Sequence, residues 1–235
     1  MPRTMTESAE KMTALVQLAG TVAHELNNIF TAVAGNLSLL DQDIVGSIDR
    51  AMMFRDIANA AQRGIDLTAK LQAFAGRQWL DRRYIELNAI VSNTMRALHS
   101  SLPGVNMMID LAEAEFVVYT DEQKLVETLT ELVRNARAAL PSVGGRIKVE
   151  TSRHQNNGAH PYVALRVSDN GCGMPPDVVA RAVEPLFSTR PEGIRKGWGL
   201  SNCVGFTRQS GGSLSINSEP GRGSVVEIVL PLENV

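Results

Sequence analysis

A carboxylate followed by two glycines occurs in residues 168–174, SDNGCGM, directly after an alternating apolar stretch. An aspartate at the end of a strand can accept a hydrogen bond from an adenine amino group, and glycines let the backbone approach a flat ring closely. Asp169, Gly171 and Gly173 are therefore candidate contacts for a purine nucleotide. The same pattern also serves simply to join a strand to a helix, and both interpretations fit this segment taken alone.

Two oxygen-bearing side chains share one face of a predicted helix over residues 121–140. Glu131 and Asn135 are four residues apart, so they project from the same side of the helix. Mg²⁺ takes few protein ligands beside phosphate and water oxygens, and this pair offers two. A solvated polar face is the alternative interpretation of the pair by itself.

A basic loop that contains glycines leads into the next predicted helix, residues 201–210. Residues 184–190 (EPLFSTR) run into residues 193–201 (GIRKGWGLS). Backbone N–H groups and the positive dipole end at a helix start, together with Arg and Lys side chains, suit a triphosphate. The candidate phosphate contacts are Arg190, Lys196, Gly197 and Gly199.

A last glycine segment, residues 221–224 (GRGS), opens the final predicted strand. Each of the four segments can also be a surface loop or a hairpin turn. Because all four occur in one order within about a hundred residues, together they favour an ATP site.

A potential nucleophile, His24, lies in a predicted amphipathic helix. Apolar residues three and four apart form a seam there: Met12, Leu15, Ala19, Val22, Leu26, Ile29, Val33, Leu37 and Leu40. His24 is roughly 200° around the helix from its nearest seam neighbours, so we expect it to face solvent. Its neutral imidazole has a lone pair that can attack phosphorus, and the adjacent Glu25 can accept a proton. Asn28 shares the face of His24. An ordinary polar surface is the alternative.

A second seam follows after a polar break that includes Gly46: Met53, Ile57, Ala60, Gly64, Leu67, Leu71 and Phe74. The two seams predict an antiparallel helical hairpin. Because two helices alone leave one side of each seam wet, we expect a homodimer that forms a four-helix bundle. A hairpin packed on its own C-terminal domain is the alternative.

The C-terminal half has a different pattern, and it begins near Leu80. Short alternating stretches predict strands that include residues 163–169, 214–218 and 225–230, between the two helices already named. This predicts an α+β two-layer sandwich. We therefore expect a dimerisation and phosphotransfer domain over residues 1–80 and an ATP-binding domain over residues 81–235.

Charge and hydropathy exclude several classes of protein. The 235 residues carry a net charge of −2, which gives no basic field for nucleic acid. No stretch approaches the roughly 20 apolar residues that cross a bilayer, so we expect no direct membrane insertion and a cytoplasmic location. Cys172 and Cys203 have no metal-site spacing and are expected to be small buried side chains.

The segments together resemble the boxes of the sensor histidine kinases over nearly the whole chain. In order, these are the phospho-acceptor box at 23–28 (AHELNN), the asparagine box at 131–136 (ELVRNA), the first glycine box at 169–173 (DNGCG), the phenylalanine box at 184–190, the second glycine box at 197–200 (GWGL) and the last at 221–224.

The resemblance implies a helical hairpin followed by an ATPase domain of the Bergerat fold, with ATP and Mg²⁺ bound. By similarity, Asp169 would hold the adenine with Ser224 nearby, and Asn135 would bind magnesium. Lys196 and Arg190 would contact phosphates.

In the hairpin, the resemblance implies that Glu25 assists attack by His24 and that Asn28 orients water when the partner is dephosphorylated. That partner would be the receiver domain of a response regulator. Because no sensor sequence precedes Leu15, input would come from a separate sensor protein or from the missing part of a longer chain.

Two departures from the family pattern support alternative functions. Glu131 stands where close relatives often have Asn, which favours a gyrase-like ATPase or a serine kinase on the same fold. Arg195 replaces a usual glycine and Trp198 a smaller aliphatic residue, which would fit a degenerate phosphotransfer or binding module.

Overall fold

A computed structural model describes residues 3–40, 47–74, 79–154, 160–185, 187–189 and 197–233. The chain divides into two compact units, Met1–Gln72 and Ala73–Val235. The domain boundary at residue 80 stays a prediction.

The first unit consists of two long helices, α1 (Arg3–Leu40) and α2 (Ser47–Phe74). Ile29 of α1 and Ala60 and Leu67 of α2 are buried. A Cβ placed on Gly64 would lie 3.8 Å from the Ile29 side chain, so the predicted seams meet here. Residues 41–46, the predicted turn, lie outside the described residues, and the hairpin is confirmed only in part.

Two residues of the predicted α1 seam are exposed, as expected where two helices alone leave one side of each seam wet. Leu37 is 51% exposed, and Ala19 is also exposed. Leu37 lies about 60° around the helix from Leu40, which places it on the flank of the buried side. Side chains at Met12 and Leu15 lie outside the described part of α1.

The second unit contains a five-stranded mixed sheet and a small two-stranded one. The large sheet has the order β2 (Asn106–Asp110), β4 (Arg146–His154), β5 (Tyr162–Asp169), β7 (Gly223–Pro231) and β6 (Ser213–Glu219). β2 and β4 are parallel and the other pairs antiparallel. β1 (Arg83–Glu86) pairs antiparallel with β3 (Val117–Thr120). The three strands predicted from alternation are therefore confirmed as β5, β6 and β7.

In the described part of this unit, four helices accompany the strands: α3 (Leu87–His99), α4 (Glu122–Ala139), α5 (Pro176–Arg181) and α6 (Gly199–Gln209). The Asp121 side chain caps α4 by accepting a hydrogen bond from the Lys124 N–H at 3.0 Å. Apolar residues at helical spacing then bury one side of α4, among them Leu125, Leu129 and Val133. They share one core with α3, α6 and the large sheet, as expected for helices layered on a sheet.

Among the described helices, none combines the length and the apolar character needed to cross a membrane.

The two cysteines differ from each other in exposure. Cys203 in α6 is buried, as predicted, whereas Cys172 is exposed, so that part of the prediction is wrong. Cys172 lies in a tight turn between Gly171 and Gly173, and it is the backbone of this turn that packs against neighbouring segments.

Two valines provide a matched test of the core. Val149 in β4 is fully buried and Val143 is 88% exposed. We expect Val149→Ala to lower the free energy of unfolding by about 2 kcal/mol, because two methyl groups leave a close-packed interior. Val143→Ala should change it by less than about 0.5 kcal/mol. Urea unfolding followed by tryptophan fluorescence measures both, since both tryptophans lie in the second unit. Equal effects would contradict the assigned core.

Candidate nucleotide site

Asp169 ends β5, where a tight turn holds its carboxylate. Oδ1 accepts a hydrogen bond from the Gly171 N–H at 2.7 Å, and Asp169 pairs with Ser224 across β5 and β7. Burial raises the pKa of the Asp169 carboxyl above its ordinary value, and backbone hydrogen bonds from Gly171 and Ser224 offset part of the rise. With Oδ1 engaged by the turn, Oδ2 is the oxygen suited to accept from a ligand.

The two glycines of the turn are required by close backbone neighbours. A Cβ at Gly171 would lie 2.5 Å from the Ala139 carbonyl oxygen, and one at Gly173 1.9 Å from that of Glu219. Gly173 also has a positive φ of 64°. Cys172 donates a backbone hydrogen bond to Ala139 at 2.9 Å. The turn is thus held between the end of α4 and the β6–β7 hairpin.

Hydroxyl groups line the β6–β7 end of this turn. Ser218 Oγ lies 2.9 Å from Ser224 Oγ and donates to the Gly223 carbonyl. It also accepts a hydrogen bond from the Met174 N–H at 2.8 Å. The sequence predicted Ser224 but missed Ser218. The feature that could have indicated Ser218 is the register of the β6–β7 hairpin, which pairs Ser218 directly with Ser224.

Glu131 and Asn135 are both partly buried on α4, and Glu131 lies against the start of α6. A Cβ on Gly199 would be 2.2 Å from Glu131 Oε1, so a side chain at Gly199 would displace this carboxylate. Burial raises the pKa of the Cys203 thiol, and the negative charge of Glu131 raises it further. These contacts place the acidic group at the α4–α6 junction.

One stripe of α4 connects the two groups of candidate residues. Glu131, Asn135 and Ala139 follow each other at intervals of one turn, with Gly199 against the first and Gly171 against the last. The stripe spans about 12 Å along the helix axis. The structure therefore brings Asp169, Gly171, Gly173 and Ser224 together at one end and Glu131 and Gly199 at the other.

The start of α6 presents hydrogen-bond donors. Gly197 has a φ of 67°, and Trp198, the N-cap residue, is only 4% exposed. An indole cannot accept a hydrogen bond from the first helical amides. The Trp198 Nε1–H itself has no partner within the described residues. Such donors fit an acceptor-rich phosphate chain.

The segment before α6 is described only in part. The Arg181 guanidinium lies 4.2 Å from the centre of the Phe187 ring and pairs with Glu184 at 3.2 Å. Arg190 and Lys196, the predicted phosphate contacts, lie outside the described residues. Their roles stay predictions.

His24 is exposed on α1, as its position outside the seam predicts. Asn28 is exposed as well, and Glu25 is partly buried. The predicted catalytic roles of these three residues stay predictions.

Residues 120–234 match the family described as histidine kinase-, DNA gyrase B-, and HSP90-like ATPase. This match, over the unit that contains the Asp169 turn, identifies an ATP-binding domain.

Over nearly the whole of its own length, the chain is similar to proteins named as kinases. The chain is 32% identical over 240 residues to sensor kinase CckA of Brucella abortus (strain 2308), covering 95% of this chain and 25% of CckA. It is 28% identical over 234 residues to sporulation kinase C of Bacillus subtilis (strain 168), covering 98% and 52%. The chain thus spans between a quarter and about half of these relatives. The family match and these relatives support a sensor histidine kinase catalytic core.

A solved structure has the same fold. Histidine kinase ThkA, in complex with response regulator protein TrrA, aligns with a TM-score of 0.58 at 18% identity. The alignment covers 96% of this chain and 64% of that chain.

Replacing Asp169 by Asn tests the predicted adenine contact. The Gly171 N–H keeps the remaining oxygen occupied, so the new NH₂ group would face the adenine amino group, donor against donor. We expect ADP affinity, measured by calorimetry, to fall at least about tenfold. Asp177→Asn, the same change at an exposed position, should leave it unchanged. An unaltered affinity in Asp169→Asn would remove Asp169 from the site.

The same carboxyl predicts a pH dependence. A protonated Asp169 is a poorer hydrogen-bond acceptor, so nucleotide affinity should fall as the pH is lowered. Because the pKa of Asp169 is raised, this fall should begin at a higher pH than it would with an exposed aspartate. The free energy of unfolding depends on pH in the opposite sense. The proton bound to Asp169 contributes its full stabilisation below the pKa of the unfolded state, and this stabilisation is lost as the pH rises through the higher pKa of the folded state. Asp169→Asn should flatten both profiles.

Proposed function

We propose that this chain is an ATP-dependent protein-histidine kinase that phosphorylates itself on His24 and passes the phosphoryl group to an aspartate of a response regulator. Two observations support the proposal. The imidazole of His24 is exposed in the first unit, and in the second unit the α4 stripe connects the Asp169 turn with the start of α6. The relatives above are named as kinases of this kind.

In this proposal the nucleotide lies along the α4 stripe. Asp169 Oδ2 accepts from the adenine amino group, and Ser224 lies beside it through a water. Gly171 and Gly173 allow close approach of the ring, while the backbone at Gly197 and Gly199 contacts the phosphates at the start of α6. This arrangement positions ATP, and positioning with charge neutralisation accounts for most of the catalysis in phosphoryl transfer.

Asn135 and Glu131 would hold Mg²⁺, which neutralises charge on the phosphate oxygens when it is bound. The carboxylate and the amide supply the hard oxygen ligands that this ion prefers, and the two residues lie one turn apart on α4. Arg190 and Lys196 would add positive charge near the phosphates.

His24 is the phosphate acceptor in the proposed reaction. One ring nitrogen attacks the γ-phosphorus, a N–P bond forms, the bond from phosphorus to the bridging oxygen breaks, and ADP leaves. Glu25 accepts the proton of the other ring nitrogen and stabilises the positive charge. Transfer then breaks the N–P bond as a carboxylate oxygen of the receiver domain attacks the phosphorus. In a separate phosphatase reaction Asn28 orients a water that hydrolyses the resulting acyl phosphate and releases inorganic phosphate.

A homodimer is proposed from apolar surface on the first unit. Phe30 is 63% exposed, and Leu37, two turns later, lies on the same face of α1. Phe54 and Ile65 are each 62% exposed on α2, eleven residues and about three turns apart. A second pair of helices would cover both stripes and complete a four-helix bundle.

ATP hydrolysis is the second candidate function, and the position of Glu131 favours it. A carboxylate held against the start of α6 by Gly199 can activate a water near the phosphates. Its product would be free phosphate without phosphohistidine.

The labelled-ATP experiment tests the proposed kinase. Incubation with Mg²⁺ and γ-labelled ATP should give a base-stable, acid-labile label on the protein. We expect His24→Gln to abolish it, because the attacking nitrogen is lost, and His99→Gln, another exposed histidine, to retain it. Label that persists in His24→Gln would refute the assignment, and free phosphate alone would favour hydrolysis.

Sedimentation tests the dimer. Phe30→Ser should weaken self-association at least about tenfold, because a large apolar side chain leaves the proposed interface. Tyr84→Ser, at an equally exposed aromatic residue of the second unit, should leave it unchanged. A wild-type chain that stays monomeric at high concentration would exclude the bundle.

A further inference from the structure

The indole N–H of Trp198 is a buried hydrogen-bond donor. The side chain of Trp198 is 4% exposed, and within the described residues its Nε1–H has no acceptor. Buried donors are hydrogen-bonded in the great majority of cases, because an unpaired one loses its bond to water without replacement. Trp198 is also separate from the main core, to which Cys203 and Phe206 of the same helix belong.

The position of Trp198 at the start of α6 indicates the chemistry of a partner for the indole N–H. Trp198 is the N-cap of α6, a helix of eleven residues, and its side chain cannot cap the helix. Ser201 Oγ donates to the Trp198 carbonyl at 3.0 Å, so this hydroxyl is turned back onto the preceding turn. The indole N–H and the first amides of α6 are all donors. A group with several acceptor oxygens and negative charge complements them.

We propose that the Trp198 Nε1–H donates a hydrogen bond to a phosphate oxygen of the bound nucleotide. This inference rests on the proposed function, which places the phosphates at the start of α6. It adds a contact that an aliphatic residue at this position cannot make. Nucleotide binding then satisfies a donor that is otherwise buried without a partner, and this difference favours the nucleotide-bound state.

Nucleotide binding by the full chain tests this contact through affinity. Trp198→Phe should bind ADP and ATP about 10- to 100-fold more weakly, the range for loss of one hydrogen bond to a charged acceptor, and should bind adenosine as the wild type does. Replacement of Trp198 by 3-benzothienylalanine, which keeps the ring shape and exchanges N–H for sulfur, should give the same result without a cavity. Trp79→Phe, at the 92% exposed other tryptophan, is the matched control.

Nuclear magnetic resonance provides a direct readout. The chain has two tryptophans, so ¹⁵N labelling gives two indole N–H signals, which the two Phe variants assign. We expect the Trp198 proton signal to move downfield with ADP but not with adenosine, and the Trp79 signal to stay in place.

The outcomes separate this inference from the proposed function. If the wild type binds ADP while the Trp198 signal does not move, or if the sulfur analogue keeps full affinity, the contact is wrong and the kinase stands. An equal loss of ADP and adenosine affinity would make Trp198 a packing residue and overturn the contact as well. A wild type that binds no nucleotide would overturn both.

Discussion

One face of α4 contacts two glycine segments, and the geometry of the nucleotide site in the second unit depends on this contact. Ala139 accepts a backbone hydrogen bond from Cys172, and Glu131 lies against Gly199. Because a helix is rigid over two turns, α4 fixes the separation between the Asp169 turn and the start of α6. Its opposite side is buried against the sheet, so the core that stabilises the domain also sets the geometry of the site.

Space, more than charge, explains the glycines of this site. Side chains at Gly171 and Gly173 would collide with carbonyl oxygens, and one at Gly199 with a carboxylate. A fourth, Gly223, would meet the Asp169 carbonyl at 1.9 Å and has a φ of 84°. These segments therefore approach closely without side chains between them. The Asp169 carboxylate and the first amides of α6 remain the groups that can recognise a ligand.

The two units divide the proposed chemistry by the surface that each presents. The helical unit buries Ile29, Ala60 and Leu67 and leaves His24 exposed on another side of α1. In the proposed reaction, a nucleophile outside the packed seam can react without disturbing the packing of α1 against α2. The ATP-binding unit has the opposite arrangement, with Asp169 partly buried and Trp198 almost completely so. Partial desolvation strengthens electrostatic contacts to a bound nucleotide.

The sequence by itself determined the properties that depend on local periodicity and on chemical type. The spacing of three and four placed Ile29 in a seam and His24 outside it, alternation identified β5, β6 and β7, and the ordered glycine segments indicated an ATP site. Tertiary structure decided which distant groups meet. The parallel β2–β4 pair, the role of Ser218, the exposure of Leu37 and Cys172 and the unpaired Trp198 N–H all depend on neighbours far along the chain. Local patterns cannot supply them, because each position of a helix or strand has a direction but not a partner until the segments pack.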